Sequence, residues 1–219
     1  MDRKTNVIGI GGVATTGKDL AASILSAKLA DRGLTVQRVA LASPLKGDLD
    51  EFCEKNFGFS SYTQVPEEKQ LIRPALVWYG DAQRKRTGGR HWIDQAQATI
   101  DKSAADVIIV TDVRYDHYEK DEVYWITREL NGLLVHVSQF TWATPLTTKV
   151  SNPTRERVFV APANDHEMLN DPKVKAKAQC VVEWENVGKL TQSELLVHPK
   201  LNEHMEFVRS TFMADWFED

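Results

Sequence analysis

Cysteine is nearly absent from this chain: Cys53 and Cys180 are the only two in 219 residues, far apart and each next to an apolar neighbour. That excludes a disulfide framework and a thiolate metal site, and both thiols are expected to be reduced and buried. No apolar run approaches the length of a membrane span, and no signal-peptide pattern is present, so a soluble cytoplasmic protein with no membrane partner is expected. The six histidines are scattered without metal-ligand spacing. Neither sign of charge dominates: the net charge of −4 argues against wholesale coating of nucleic acid, while a local basic patch stays compatible with it. Internal repeats, low-complexity tracts and a convincing linker are also missing.

What is present is ordinary for a globular protein, with 42% hydrophobic and 26% charged residues. A chain of this size supports one substantial domain whose core needs no staples. Val7-Ile8-Gly9-Ile10 reads as a buried strand closed by Gly11-Gly12, and Leu20, Ile24, Leu25 and Leu29 follow at helical spacing. Val36 to Leu41 is a second strand, and Pro44 opens a helix. Pro66-Glu67-Glu68 starts another helix, with a kink or interruption expected at Pro74. His91 to Ile100 looks helical, Val107 to Val110 is the clearest buried strand, and Tyr115 to Leu130 reads as a helix. Leu133 to Val137 and Cys180 to Val182 supply further strands. The six tryptophans, among them Trp78, Trp92 and Trp184, are expected to pack the core. Strands alternating with helices predict an α/β fold with a mostly parallel sheet covered on both faces. The stretch 139–178 breaks that rhythm, which predicts a lid-like insertion in a single domain spanning 1–219.

The strongest motif is Gly12-Val13-Ala14-Thr15-Thr16-Gly17-Lys18, which matches the Walker A pattern up to its last position. Such a loop aims successive backbone N–H groups at phosphate oxygens, the following helix adds its positive dipole end, and Lys18 adds a cation. Asp19 stands where Ser or Thr normally holds Mg²⁺, and a carboxylate suits a hydrated metal. A dinucleotide site is the rival, since Gly9-x-Gly11-x-x-Ala14 fits a loose fingerprint. That model wants an acid at the end of the second strand, and Val39-Ala40-Leu41-Ala42-Ser43 has none. An ATP-dependent phosphotransferase with Mg²⁺ is therefore expected.

The strand Val107 to Val110 delivers Asp112 and Arg114 at its carboxyl end, where open parallel sheets bind ligands. Asp112 is suited to holding Mg²⁺ through water or to orienting an acceptor oxygen, and Arg114 to gripping a phosphate. Taken alone, the two read better as a strand-end ion pair; beside the phosphate loop the functional reading is preferred. Lys46 ends the second strand on the same edge, and Arg73 and Arg84 lie on the helices after Pro66, where Lys85 and Arg86 read as solvated charge. Lys149, Arg155 and Arg157 read either as lid cations or as plain surface. Asp165-His166-Glu167 is a dense polar cluster that a helix start explains as well as a site does.

With these motifs in hand, the chain resembles bacteriophage deoxynucleoside monophosphate kinases and, more distantly, animal-type phosphomevalonate kinases. The resemblance rests on Gly17-Lys18-Asp19, Ser43-Pro44-Leu45-Lys46, the Arg73, Gly80, Arg84 series, Asp112-Val113-Arg114-Tyr115, and Asn186-Val187-Gly188-Lys189-Leu190. It implies a three-layer P-loop kinase fold, ATP and Mg²⁺ as cofactors, and a location in the host cytoplasm. The loop residues and Asn186 would bind the donor, with Asn186 near the adenine. Asp19 and Asp112 would organise the metal, and Lys46, Arg73, Arg84 and Arg114 would bind the acceptor. Lys18, Asp112, Arg114 and Arg73 would carry catalysis. The implied acceptor is a deoxynucleoside monophosphate. Asp81-Ala82 departs from the family pattern after Gly80 and leaves the base preference open. The alternative acceptor is a hydroxymethylated base, 5-hydroxymethyluracil, within phage DNA, and a nucleotide-binding module without turnover is a third reading. A homodimer is compatible with all three.

Overall fold

The computed structural model describes residues 5–143 and 155–217. Lys149 lies outside the described residues.

The apolar runs form six strands, and their alternation sorts the core into two halves. Strands β1 (Asn6–Gly11), β2 (Val36–Ala40), β3 (Val107–Val113), β4 (Leu133–Ala143) and β6 (Cys180–Glu185) pair in parallel in the order β2-β3-β1-β4-β6. Strand β5 (Glu156–Phe159) pairs antiparallel with the far end of β4. Because side chains alternate across a strand, Ile8, Ile10, Val107, Ile109, Val135 and Val137 share one face. They meet Ile24, Leu25 and Leu29 of α1 (Lys18–Ala30) and Met205 and Val208 of α8 (Pro199–Phe212). Val7, Ile108, Val110 and Leu134 point the other way. They meet Ile93 and Ala96 of α4 (Arg90–Ile100), Trp125 and Ile126 of a π-helical turn (Trp125–Glu129), and Val174 of α6 (Asp165–Lys177). The result is an α/β structure with a mostly parallel mixed sheet between two layers of helices. None of the helices is long and apolar enough to cross a membrane among the described residues.

β1 and β3 are neighbours whose connections leave in opposite directions, β1 toward β2 and β3 toward β4. That reversal opens a crevice at the carboxyl ends of both strands.

Several elements differ from their expectation. Helix α2 (Ala42–Phe57) starts two residues before Pro44, and α3 (Pro66–Thr87) runs through Pro74 without interruption. The carbonyl that loses its partner there belongs to Gln70, and both residues are on the exposed side of the helix, which lowers the cost of the missing bond. Packing of the buried Ile72, Gly80 and Arg84 overrides the local preference. The segment from Tyr115 is a loop that becomes helical only at α5 (Glu122–Tyr124), which runs on into the π-helical turn. The Asp121 carboxylate explains this: it accepts from the backbone N–H groups of His117, Tyr118 and Glu122, an alternative to helical bonding. The stretch 139–178 holds the end of β4, the strand β5 and α6. Cys53 and Cys180 are both free and buried, as expected. Trp92, Trp125 and Trp184 pack in the core, but Trp78 is 71% exposed on α3.

Replacing Pro74 with Ala restores an N–H inside an otherwise continuous helix. It should stabilise the protein by ~1–3 kcal/mol in urea unfolding; a loss of stability would mean that Pro74 shapes the helix locally.

Candidate functional site

Between Gly11 and Lys18 the chain turns from β1 into α1 with room for little more than backbone. Gly12 (φ 134°) would place a Cβ 2.2 Å from the Val137 carbonyl oxygen, and Gly17 (φ 87°) would place one 2.7 Å from the Trp184 ring. Glycine alone meets both demands. Thr15 also adopts positive φ. Trp184, 1% exposed, donates its indole N–H to the Thr16 carbonyl at 2.9 Å. Inside the turn, the Thr16 hydroxyl and the Lys18 ammonium both donate to the Val13 carbonyl, at 3.0 and 2.7 Å. Helix α1 has no side-chain cap, so its first N–H groups have no partner from that source. Burial and the nearby Arg114 push the Lys18 pKa down to about 8.

The end of β3 meets this turn. Ile10 pairs with Thr111 but Gly11 pairs with Val113, so Asp112 is the extra residue of a bulge, and its φ is 66°. A bulge re-aims a side chain out of the pleat. Burial raises the Asp112 pKa, but Arg114 and Lys18 outweigh it and hold the carboxyl below its usual range. Arg114 bridges Asp112 at 3.1 Å and Glu167, the third residue of α6. Burial opposes the Arg114 charge, and the two carboxylates more than restore it. Glu167 also accepts from the Ala14 N–H at 3.2 Å and the Ala163 N–H at 2.9 Å.

Behind Arg114 lies a second buried charge cluster. The Arg84 guanidinium, 3.6 Å from the Tyr115 ring centroid, gives one terminal nitrogen to Asp121 at 2.7 Å and the other to Glu122 at 2.9 Å. Glu122 also accepts from the backbone N–H groups of Arg114 (2.6 Å) and Tyr115 (3.0 Å). Burial pushes the Glu122 carboxyl up to about 7.

Two clefts open onto these residues. The larger, about 720 Å³, is lined by Thr15, Gly17, Lys18, Asp19, Arg38, Trp184, Asn186 and Gly188. The smaller, about 260 Å³, has an apolar floor of Leu41, Leu45, Ile72, Leu76, Val77 and Trp92, with Lys46 on its wall. Ala14, Lys69, Arg73, Asp112 and Arg114 line both.

The structure thus brings together Lys18, Lys46, Arg73, Asp112, Arg114 and the loop. Arg73 is exposed and has no ion-pair partner among the described residues. Arg84, expected to hold a substrate phosphate, lines the smaller cleft, where both of its terminal nitrogens pair with carboxylates. The Asp19 side chain is 86% exposed and pairs with Arg38 at 2.6 Å. Asn186 accepts from the Gly188 N–H at 2.9 Å on the rim of the larger cleft. Arg155 is exposed, and Arg157 pairs with Glu183 and stacks on Phe140. Lys69 lines both clefts and was not singled out by the sequence, while Glu167 belongs to the polar cluster that read equally as a helix start or a site. Asn164-x-x-Glu167 looks like a capping pair, and Asn164 does cap α6, which hides the longer reach of Glu167. As for a metal, no cluster of three or more His, Cys, Asp or Glu side chains exists among the described residues. Mg²⁺ needs none, since it keeps waters and takes phosphate oxygens beside one or two carboxylates. Asp19 and Asp112, both on the larger cleft, fit that donor set.

Truncating Arg84 to Ala leaves Asp121 and Glu122 buried without their cation. It should cost ~3–5 kcal/mol in chemical denaturation; a near-neutral result would mean that the pair is hydrated. Lys18→Met should act in the opposite direction. The folded Lys18 pKa of about 8 lies below the unfolded 10.5, so the unfolded chain holds the proton more tightly. The penalty is complete below pH 8 and fades as pH rises to 10.5, so the variant should gain ~2–3 kcal/mol at pH 7 and little at pH 10.5. Equal stabilities at pH 7 would refute the burial cost. No family model matches the chain, and no curated protein matches it.

Proposed function

We propose that this chain is a P-loop phosphotransferase that moves the γ-phosphoryl of ATP onto the phosphate of a deoxynucleoside monophosphate. The observation that carries the reading is the junction of the two clefts at Ala14, Lys69, Arg73, Asp112 and Arg114. A phosphotransferase needs two substrate sites that meet at cations, because phosphoryl transfer asks the protein mainly for positioning and charge compensation.

The larger cleft takes the donor. Loop amides, the uncapped start of α1 and Lys18 hold its phosphates, and the rim at Asn186 receives the base. Asp19 and Asp112 would hold a water-ligated Mg²⁺, which when bound would neutralise donor phosphate oxygens. The smaller cleft takes the acceptor, with its base against the apolar floor and Trp92, and its phosphate toward Lys46 and Arg73. Arg114 sits where the transferred group passes and compensates its charge. Arg84 acts at one remove, because Glu122 ties its guanidinium to the Arg114 backbone. A phosphate acceptor arrives already ionised, so no general base is required. The cations beside the apolar floor favour such an acceptor over a hydroxyl group on DNA.

The test is ADP release from Mg-ATP with a panel of deoxynucleoside monophosphates, phosphomevalonate and hydroxymethylated duplex DNA. Turnover is expected with one or more monophosphates and not with Lys18→Met. Arg73→Ala should lower kcat/KM by ~10²-fold while leaving stability unchanged, since its side chain is exposed. Turnover with DNA alone would assign the acceptor as a hydroxyl, and binding of ATP with no turnover across the panel would reduce the chain to a nucleotide-binding module.

A further inference from the structure

Glu167 occupies an unusual place for a carboxylate. It is 6% exposed, and it takes the Ala14 N–H at 3.2 Å and a terminal nitrogen of Arg114. A backbone amide of a glycine-framed loop together with a guanidinium is what a phosphoryl oxygen would seek. Ala14 and Arg114 both belong to the junction of the clefts, whereas Thr15, Gly17, Lys18 and Asp19 line the larger cleft alone and Glu167 lines the smaller one. The carboxylate thus reaches the junction from the acceptor side and binds the two groups that a phosphoryl group in transit would meet, away from the rest of the donor.

We infer that Glu167 is an internal stand-in for the transferred phosphoryl group: it holds the Ala14 amide and the Arg114 guanidinium and is exchanged for a phosphoryl oxygen when the donor binds. This rests on the proposed phosphate-binding role of the loop. Two physical arguments support it. The half-buried Arg114, its side chain 32% exposed, would have only Asp112 as a counter-charge without Glu167, and the second carboxylate offsets that cost. Conversely, two anions held at hydrogen-bond distance from one N–H repel each other, so an incoming phosphoryl oxygen displaces the carboxylate.

The helix that carries Glu167 has further attachments. One turn on, Asp171 pairs with the buried His136 of β4 at 3.0 Å, and Val174 lies against Gly11. Exchange thus needs movement of the Glu167 side chain or of the first turn of α6, with the remainder held. It also makes the site selective: a nucleotide without a γ-phosphoryl group has nothing to exchange and gains nothing from the residue's removal.

The test is equilibrium binding of ATP, ADP and inorganic tripolyphosphate to the full chain by calorimetry, for wild type, Glu167→Gln, Glu167→Ala and Asp171→Asn. Both Glu167 variants should bind ATP and tripolyphosphate ~10-fold tighter, with ADP changed by less than ~3-fold. Asp171→Asn loosens α6 without touching the loop and should leave all three ligands unchanged. A damaged fold weakens binding, so the direction of the change separates exchange from misfolding. Unchanged or weaker ATP binding in both Glu167 variants would overturn the inference, as would an equal gain for ADP or an equal gain in Asp171→Asn. If no form of the protein binds any of the three ligands, the phosphate-binding reading of the loop falls and this inference with it. Binding by wild type with no gain in the variants would sink the inference alone.

Discussion

The turn from β1 into α1 has almost no space around it, and much of the site follows from that constraint. Gly12 lies against the backbone of β4 and Gly17 against the Trp184 ring of β6. Two strands that follow it by more than a hundred residues therefore form the wall on which this turn is moulded. The Trp184 indole and the Thr16 hydroxyl then fix its carbonyls, so that amides rather than carbonyls remain for an external partner. Both tight contacts require glycine, which links two residues of the motif to packing as well as to chemistry.

Around this rigid turn the protein places charges in two connected tiers. In the front tier Arg114 joins Asp112 to Glu167; in the rear tier Arg84 joins Asp121 to Glu122. Glu122 connects them through the Arg114 backbone N–H. Each cation, Arg84 buried and Arg114 half-buried, faces two carboxylates, so that no ion is left alone. Arg84 and Glu122 of the rear tier line the smaller cleft with their charges mutually paired. Asp112 and Arg114 of the front tier line both clefts, which under the proposed function is where charge must be rearranged during the reaction.

The parts of this design that depend on near neighbours were readable from sequence. Strand and helix periodicity gave the layered α/β arrangement, and the spacing of Gly12, Gly17 and Lys18 pointed to the turn. The placement of Asp112 and Arg114 at a strand end pointed to the crevice. What the sequence hid was long-range. Arg84 looked like a free cation because Asp121 and Glu122 lie 37 and 38 residues away. Glu167 read equally as part of a helix start or of a site, because its reach to Ala14 crosses 153 residues. The bulge that turns Asp112 outward arises from the register between β1 and β3, which no local pattern encodes. Pro74 misled in the other direction: its local preference was clear, and the packing of α3 overrode it.

The central position of β1 also bears on how the chain is made. Ile8 pairs with Ile109 on one side and Leu133 on the other, so both edges of β1 wait for strands translated roughly a hundred residues later. At ribosomal speeds of roughly 5–20 residues per second, that leaves Val7-Ile8-Gly9-Ile10 without its sheet partners for several seconds. During that interval only α1 and β2 are near enough in the chain to shield it. The strand that leads into the glycine turn thus emerges roughly a hundred residues ahead of both of its sheet neighbours.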